Sequence, residues 1–354
     1  MLIDSNAIIH RAYHALPKSM STSKGELTNA VYGYTTTLIK ILEDLKPEYI
    51  AASFDVSKAT FRHKAYKEYK ATRVAADQEL YDQIPKVKEL LEVLNIPIFE
   101  KEGYEADDII GTIASRVTQK ILNPKSEILN KSEIKNSNAQ NNIEVYIVSG
   151  DKDLFQLLNG DVFVYWLKKG LSESAIVDSA KIKADFNLDP GDFIDLKALA
   201  GDASDNIPGV PGIGPKTATD LIIKFDTLEK LFIKIQETRY KIQTNSKSQF
   251  SNDQIIEQVA KELDIKPRIL GLLIEHKEQA FMSKSLATIE RNVPIEFSLE
   301  DCKWGEYDKD KLKEFFERMQ FRSLLKRFNG EDRGESATSK VQEQQKKDEQ
   351  LKLL

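Results

Sequence analysis

The chain has 354 residues, of which 41% are hydrophobic, and it carries a formal net charge of −5. It has no apolar run of the length that a membrane-spanning helix needs, and its start, MLIDSN, lacks the pattern of a signal peptide. Cys302 is the only cysteine, which excludes a disulfide within the chain and fits a reducing compartment. We therefore expect a cytoplasmic protein of one large or two modest domains, with no membrane partner.

Three short apolar runs each lead into acidic residues. MLID ends in Asp4, YIAASFD ends in Asp55, and VYIVSGDKD contains Asp151 and Asp153. The runs have the length of buried strands, and apolar residues at helical spacing lie between them. Strands that alternate with helices indicate an α/β fold with a mostly parallel sheet, whose ligand crevice lies beyond the carboxyl ends of the strands. We expect the acids to meet there.

Two further acidic motifs extend this set. GYEADDII supplies Glu105, Asp107 and Asp108, and GDASDNIPG supplies Asp202 and Asp205. Clustered carboxylates repel one another unless cations neutralise them, and oxygen-only ligands favour hard ions such as Mg²⁺ or Mn²⁺. Taken singly, each acid is more typical of a turn or a helix cap. Taken together, they predict a pair of metal ions that hydrolyses a phosphodiester.

A basic segment follows Asp55 directly. Residues 58–73, KATFRHKAYKEYKATR, contain one acid among many cations, with aromatic residues interleaved. Such a segment can neutralise phosphates and stack on bases, although a charge run is also typical of a solvated helix face. Its position beside the acids favours contact with DNA. The cations and aromatic residues are Lys58, Phe61, Arg62, Lys64, Tyr66, Lys67, Tyr69, Lys70 and Arg73.

The stretch NIPGVPGIGPKTATDLIIKF is rich in glycine and leads into a predicted helix. Gly209, Gly212 and Gly214 precede Pro215 and Lys216, so the P-loop pattern, which needs Lys directly after the last glycine, is not met. Glycines before a helix N-terminus expose N–H groups that suit a phosphate. We expect a hairpin that grips a DNA strand by its backbone, with an ordinary helix–helix turn as the alternative.

The order of these motifs closely resembles the 5′-nuclease domain of bacterial DNA polymerase I, within the wider flap endonuclease family. The resemblance runs from residue 1 to about 328 and rests on DSNAIIHRAYHAL, ASFD, FRHKAYKEYKATR, GYEADDIIGTIA, VSGDKDLFQLL, LKALAGDASDNIPGVPGIGPKTA and EHKEQAFMSKSLATI. It implies an α/β fold with a PIN-like core, a helical arch, and a C-terminal helical region that contains a helix-three-turn-helix.

The resemblance also implies a domain plan. Residues 1–190 would form the nuclease core, with an arch at about 56–85 and an insertion at 123–142. Residues 191–328 would form the helical DNA-binding region, with the helix-three-turn-helix at about 195–225 and an insertion at about 240–266. Residues 329–354 are polar and predict a disordered tail. The first strand begins only three residues before Asp4, so either it is short or the true start lies upstream.

Carried over motif by motif, the resemblance gives each candidate residue a role. Lys70 and Arg73 would act on the scissile phosphate, and a K⁺ ion could bind at the hairpin. The metal acids would be Asp4, Asp55, Glu105, Asp107, Asp108, Asp151, Asp153 and Asp205, with Asp202 beside them. The DNA contacts would be Arg11, Arg62, Lys64, Tyr69, Lys70, Arg73, Gly209, Gly212, Gly214 and Lys216.

The function that this resemblance implies is a Mg²⁺-dependent 5′-3′ exonuclease and flap endonuclease. Its substrates would be 5′ flaps, nicks and RNA–DNA primers in replication and repair, with a separate DNA polymerase as a partner. A catalytically inactive DNA-junction protein and a PIN-type ribonuclease stay as alternatives. The last residues, QLKLL, resemble the Gln-Leu-x-Leu-Phe peptide that binds the bacterial sliding clamp, with Leu354 in place of the final Phe. A frayed terminus is the alternative there.

Overall fold

The structure is a computed structural model that describes residues 1–56, 59–122, 143–169, 173–245 and 251–328. Its centre is a six-stranded sheet in the order β3-β2-β1-β4-β5-β6, in which every neighbouring pair is parallel except β5 with β6. This confirms the predicted, mostly parallel sheet. The strands are β1 (Leu2–Asp4), β2 (Ala51–Ser53), β3 (Ile98–Phe99), β4 (Val145–Ser149), β5 (Val162–Lys169) and β6 (Glu173–Val177).

Helices cover both faces of this sheet. Side chains of successive strand residues point to opposite faces, so Leu2 packs into one buried apolar cluster and Ile3 into the other. The helices on and around the core are α1 (Ser5–Ala15), α2 (Asn29–Leu45), α3 (Phe61–Ala65), α4 (Gln78–Tyr81), α5 (Ile84–Val93), α6 (Ala106–Leu122) and α7 (Ser179–Phe186). The predicted helical repeats fall in α2 and α6, and the three predicted acidic runs are β1, β2 and β4.

The expected helical arch has little continuous helix. Between residues 59 and 83 the chain forms only α3 and α4, each about one turn long, which are joined by successive turns at 67–73 and a stretch without regular structure. The resemblance predicted the position of this segment, but its local sequence lacks the apolar spacing of a long helix. We refer to residues 59–77 as the arch segment.

The second region is helical, as predicted. A 14-residue connection, residues 201–214, joins its first two helices, and this pair is the expected helix-three-turn-helix. The described residues of the insertion expected at about 240–266, which are 240–245 and 251–266, are mostly helical, and the segment expected at 123–142 lies outside the described residues. The helices are α8 (Asp192–Ala200), α9 (Pro215–Phe225), α10 (Leu228–Asn245), α11 (Asn252–Leu263), α12 (Pro267–Glu275) and α13 (Lys277–Ala287).

After α13 the chain returns to the nuclease core. Arg116 of α6 donates to the carbonyls of Ile295 and Val293 at 2.8 and 2.9 Å. Two last helices, α14 (Lys309–Arg318) and α15 (Arg322–Phe328), bury their apolar residues in the same cluster as Ile3. The boundary expected at residue 190 therefore does not separate two packing units, because the end of the helical region completes the core.

No helix in the described ranges is both long and apolar enough to cross a membrane.

Candidate active site

The acidic strand ends lie side by side because β1 is hydrogen-bonded between β2 and β4. Asp4 ends β1, its side chain is buried, and its Oδ1 accepts a hydrogen bond from the Ala7 amide, which caps α1. Its Oδ2 accepts a 2.7 Å bond from the Ser149 hydroxyl, and the Asp151 amide donates to the same hydroxyl at 3.0 Å. The buried Ser149 thus ties the ends of β1 and β4 together.

Acids from α6 lie beside these strand ends. Asp55 Oδ1 accepts a 2.8 Å bond from the Ala106 amide at the start of α6, so the end of β2 is joined to the EADD motif. Burial, followed by repulsion from Asp4 and Asp151, raises the pKa of Asp107 well above its ordinary value. The convergence expected from the sequence is therefore present for Asp4, Asp55, Asp107 and Asp151.

Two acids of this cluster, Asp4 and Asp153, have raised pKa values, so that ionising them is unfavourable. The pKa of Asp4 is raised to about 7, mainly by burial and in part by the charges of Asp55 and Asp151, although the hydrogen bonds from Ser149 and Ala7 lower it. Burial and the nearby Asp151 raise the pKa of Asp153 to about 7. Buried carboxylates that repel one another are stabilised by a bound cation, which supplies the charge that they lack.

The arch segment closes over part of this cluster. Lys70 donates through Nζ to Glu105 at 2.7 Å, lies 3.8 Å from Asp205, and donates its backbone amide to the Asp205 carbonyl at 2.9 Å. Arg73 pairs with the other oxygen of Asp205. The predicted catalytic cations therefore lie beside the predicted metal acids. Lys70 reaches them from a left-handed backbone conformation, with φ of 55°.

Lys197 is a cation of this site that the sequence analysis missed. It lies on α8, pairs with Asp153, and donates to Asp202 at 2.5 Å. Burial would lower the pKa of Lys197, but the two acids raise it above its ordinary value, so the ammonium stays charged. The sequence contained one signal for this role, because Lys197 lies one helical turn before the acidic motif GDASD. Because Lys197 pairs with both acids, it holds Asp202 close to Asp153.

These oxygen donors fit a hard divalent cation. In the described parts of the chain, no three acidic or histidine side chains are grouped closely enough to enclose one ion, and several of the acids are paired with Lys70, Arg73 and Lys197 instead. The lysine and arginine side chains thus supply positive charge that the acids require. Divalent ions would supply the same charge through direct coordination.

An open cleft of about 990 Å³ runs along the acids. Arg11, Lys152 and Arg73 line it together with Asp151 and Asp153, so one wall can contact phosphates while the other holds cations. Arg11 Nη2 donates to the Leu167 carbonyl at 2.5 Å and lies against Gly150, where a Cβ would overlap the guanidinium. Gly150 therefore provides the space that Arg11 occupies.

Two predicted arch contacts are buried and cannot reach DNA in this structure. The Arg62 side chain is only 3% exposed and binds Asp108, which is fully buried. Tyr69 is 2% exposed, and its hydroxyl donates to Asp205 at 3.1 Å and to Glu105 at 3.3 Å. Packing under the arch segment buries both side chains, and the sequence pattern cannot distinguish such buried aromatic and guanidinium groups from exposed ones. Lys64 is exposed.

Asp108 also differs from its predicted role as a metal ligand. Its two oxygens accept four hydrogen bonds, from both terminal nitrogens of Arg62 and from the amides of Glu105 and Glu290, at 2.7–3.0 Å. With this set of donors and no exposed surface, the carboxylate has no free direction toward an ion. The EADD motif therefore places Asp107 in the site and Asp108 in the interior, as expected for neighbouring residues on a helix.

The glycine-rich turn has one buried and two exposed glycines. The Gly209 amide donates to Ser283 at 3.1 Å and its carbonyl accepts from Gln279 at 2.7 Å, so its backbone is bonded to α13 and does not face a ligand. Gly212, Gly214 and Lys216 are exposed at the start of α9. In this structure the backbone of Gly209 is therefore not available to a DNA strand. The other positions keep the geometry that a phosphate grip needs.

Two family models match this chain in order. The model described as "5'-3' exonuclease, N-terminal resolvase-like domain" matches residues 1–131, and "5'-3' exonuclease, C-terminal SAM fold" matches residues 188–310. Together they cover well over half of the chain. The chain belongs to the 5′-3′ exonuclease family. The predicted family is thus confirmed, and so is the pairing of an α/β core with a helical region.

Curated relatives agree with this placement. DNA polymerase I of Bacillus subtilis is 38% identical over 336 residues, which are 95% of this chain and 33% of the relative. DNA polymerase I of Bacillus caldotenax is 37% identical over 92% of this chain and 32% of the relative. The chain therefore spans about a third of the length of the curated relatives that it matches.

Solved structures share the fold at low identity. The zinc-bound T5 5′-exonuclease has a TM-score of 0.56 at 18% identity, and the match covers 90% of this chain and 97% of that one. The catalytic core of Rad2 in complex with DNA substrate has a TM-score of 0.51 at 16% identity, over 92% and 91% of the two chains. These likenesses show a common fold.

A matched pair of glycine substitutions tests the turn. Gly209 has φ of +60°, and a Cβ there would overlap the backbone of Gly201, whereas Gly214 has φ of −92° and nothing within 4 Å of the same position. We expect Gly209→Ala to lower the free energy of unfolding by at least about 1–3 kcal/mol, and Gly214→Ala by less than about 0.5 kcal/mol. Urea titrations followed by circular dichroism measure both, and equal losses would contradict the packing described for Gly209.

Proposed function

We propose that this chain is a divalent-metal-dependent 5′-3′ exonuclease and flap endonuclease that hydrolyses phosphodiester bonds of DNA. The observation that carries the proposal is that the acidic ends of β1, β2 and β4 converge beneath the cations of the arch segment. Family membership supports the same activity. Since the chain spans only a third of its curated relatives, its substrates and partners are proposed on the same footing.

In this proposal the acids hold two Mg²⁺ ions, for which Mn²⁺ can substitute. The ligands would be Asp4, Asp55, Glu105, Asp107, Asp151, Asp153 and Asp205, with Asp202 beside them and Asp108 excluded by its buried contacts. Metal ions in such sites lower the pKa of a water and neutralise charge on the leaving oxygen. Lys70 and Arg73 would then turn from the carboxylates to the scissile phosphate and stabilise its developing charge.

Other residues would hold the DNA. Arg11 and Lys152 line the cleft and would contact phosphates, while the exposed N–H groups at the start of α9, together with Lys216, would grip one strand without reading its sequence. A K⁺ ion at the hairpin is proposed on family resemblance alone. Because the Gly209 carbonyl is bonded to Gln279, carbonyls of other turn residues would have to hold that ion.

The activity is tested with end-labelled 5′-flap, nicked and single-stranded DNA and with single-stranded RNA, each in Mg²⁺ or EDTA. We expect cleavage near the flap junction and the nick in Mg²⁺, none in EDTA, and little on single-stranded RNA. Asp151→Ala and Asp205→Ala should both abolish cleavage. Asp151→Ala removes one of several repelling charges and should keep the fold, whereas Asp205→Ala also takes a partner from Lys70 and Arg73 and should loosen the arch segment.

Asp185→Ala is the matched control, since Asp185 is an exposed acid paired with Lys181 on α7 and should leave cleavage unchanged. Turnover close to wild type in the Asp151 and Asp205 variants would overturn the metal mechanism. Binding of flaps by the wild-type chain with no cleavage under any metal would favour the inactive junction protein, and preferential cleavage of RNA would favour the ribonuclease.

Substitutions of two lysines, Lys70 and Lys216, distinguish an effect on catalysis from an effect on DNA binding. Lys70 lies at the acids, so Lys70→Ala should lower kcat by about 100-fold or more while changing the Kd for a flap much less. Lys216 lies on the DNA grip, so Lys216→Ala should weaken binding and reduce the slope of log Kd against log salt by about 1. Single-turnover rates and fluorescence anisotropy at several salt concentrations measure both effects. Reversed phenotypes would show that the two roles are exchanged.

A further proposal concerns the C-terminal tail, which lies outside the described residues. QLKLL at residues 350–354 is similar to a sliding-clamp binding peptide, and a tethered clamp would raise the local concentration of the enzyme at nicks. We expect a synthetic tail peptide to bind the clamp of the same organism in a fluorescence titration. Equal binding by a peptide with Gln350, Leu351 and Leu353 changed to Ala would remove this proposal.

A further inference from the structure

The most completely bonded ion pair of the described chain joins Arg62 to Asp108. Arg62 Nη1 and Nη2 donate to the two oxygens of Asp108 at 2.8 and 2.7 Å, and Arg62 Nε donates to the Leu286 carbonyl at 2.9 Å. Nη2 also donates to the Thr288 carbonyl at 2.8 Å. The pair is a bidentate contact of the kind that fixes orientation as well as charge.

This pair joins three separate parts of the chain at the edge of the active site. Arg62 is the second residue of α3, at the base of the arch segment, and Asp108 is in the first turn of α6, next to Asp107. The carbonyls come from the end of α13 and the residues after it, and the Glu290 amide donates to Asp108 at 2.9 Å. Movement of any one part would break bonds to the other two.

Energetics favour a role in position rather than in stability. Both side chains are almost fully buried, and a buried ion pair gains little over an apolar pair of similar volume, because desolvation offsets the attraction. Breaking such a pair from one side is costly, which makes the geometry rigid. Rigidity matters here because Lys70 follows Arg62 by eight residues and pairs with Glu105, which precedes Asp108 by three residues.

We infer that Arg62 and Asp108 form a positioning pair that fixes the base of the arch segment against the acids of α6, and that Asp108 is not a metal ligand. The inference rests on the proposed function, because the acids and the arch cations matter together only in a nuclease. It concerns two residues that the sequence pattern would place in DNA contact and in the metal site.

The first test is metal binding by the double variant Arg62→Met/Asp108→Leu. Removing both charges together leaves no unpaired buried ion, so the variant is expected to fold. In Mn²⁺ titrations followed by electron paramagnetic resonance, we expect as many bound ions as in the wild type, with Kd values raised by no more than about 10- to 100-fold, the range for residues that support ligands indirectly. Asp107→Asn, which changes a proposed ligand, should lose a bound ion. Loss of an ion in the double variant as well would overturn the inference.

The second test asks whether the pair holds the arch segment. Hydrogen–deuterium exchange of residues 61–73 should be faster in the double variant than in the wild type. Arg116→Met is the matched control, because Arg116 also bonds two backbone carbonyls of the returning chain but does not contact the arch segment. Arg116→Met should lower Tm without faster exchange at 61–73. Equal exchange in the two variants would show that the pair is merely structural.

Turnover completes the test. We expect kcat on a 5′ flap to fall about 10- to 100-fold in the double variant, as for a displaced catalytic group, and to stay near wild type in Arg116→Met. Unchanged kcat in the double variant would also overturn the inference. Metal binding and hydrogen–deuterium exchange do not depend on cleavage. A wild-type chain that cuts no substrate would therefore refute the proposed function, and the metal-binding and exchange results would still test the positioning pair.

Discussion

Repulsion among buried carboxylates is the constraint on which the rest of this structure depends. The parallel sheet brings the ends of β1, β2 and β4 to one edge, where each end leads into an acid, and burial raises the pKa of Asp4 among them. Three nearby cations supply positive charge to these acids: Lys70 and Arg73 from the arch segment and Lys197 from α8. The helical region and the arch segment are thereby held to the sheet by the same charges that make the site able to take metal ions.

This dependence explains why the two halves of the fold are not independent. The Asp205 backbone carbonyl accepts a hydrogen bond from the Lys70 amide, and the Asp205 side chain pairs with Arg73. The turn after α8 therefore belongs to the candidate active site as well as to the proposed DNA grip. The same turn is hydrogen-bonded to α13 through the backbone of Gly209. A substrate strand held at α9 would therefore be fixed relative to the acids by a short series of buried bonds.

The sequence predicted those parts of the fold and site that depend on periodicity and on charge. Apolar runs that end in Asp4, Asp55 and Asp151 were enough to place three strands and their convergence. Burial within a mixed segment was not predictable in the same way. Arg62, Tyr69 and Gly209 belong to motifs whose neighbours are exposed, and only the return of residues 283–290 against them decides that they face inward.

Two features had weak signals in the sequence. Lys197 lies in an ordinary helical pattern, and its role follows from the distance between α8 and the end of β4, which no local pattern encodes. The short helices of the arch segment replace a long helix because residues 59–77 lack regular apolar spacing, although family resemblance suggested a helical arch.

The packing of α14 and α15 into the buried cluster that contains Ile3 has a consequence for how the chain acquires its fold. Ser23 and Gln320 are hydrogen-bonded across 297 positions, and Phe315 and Phe316 share a buried cluster with Ile3. Contacts at such sequence separation form late, because closing a long loop costs entropy before any contact rewards it. During synthesis the earliest residues would therefore wait with one apolar face uncovered until the last helices leave the ribosome. Chaperone dependence and a slow final folding phase are the kinetic signature expected of this topology.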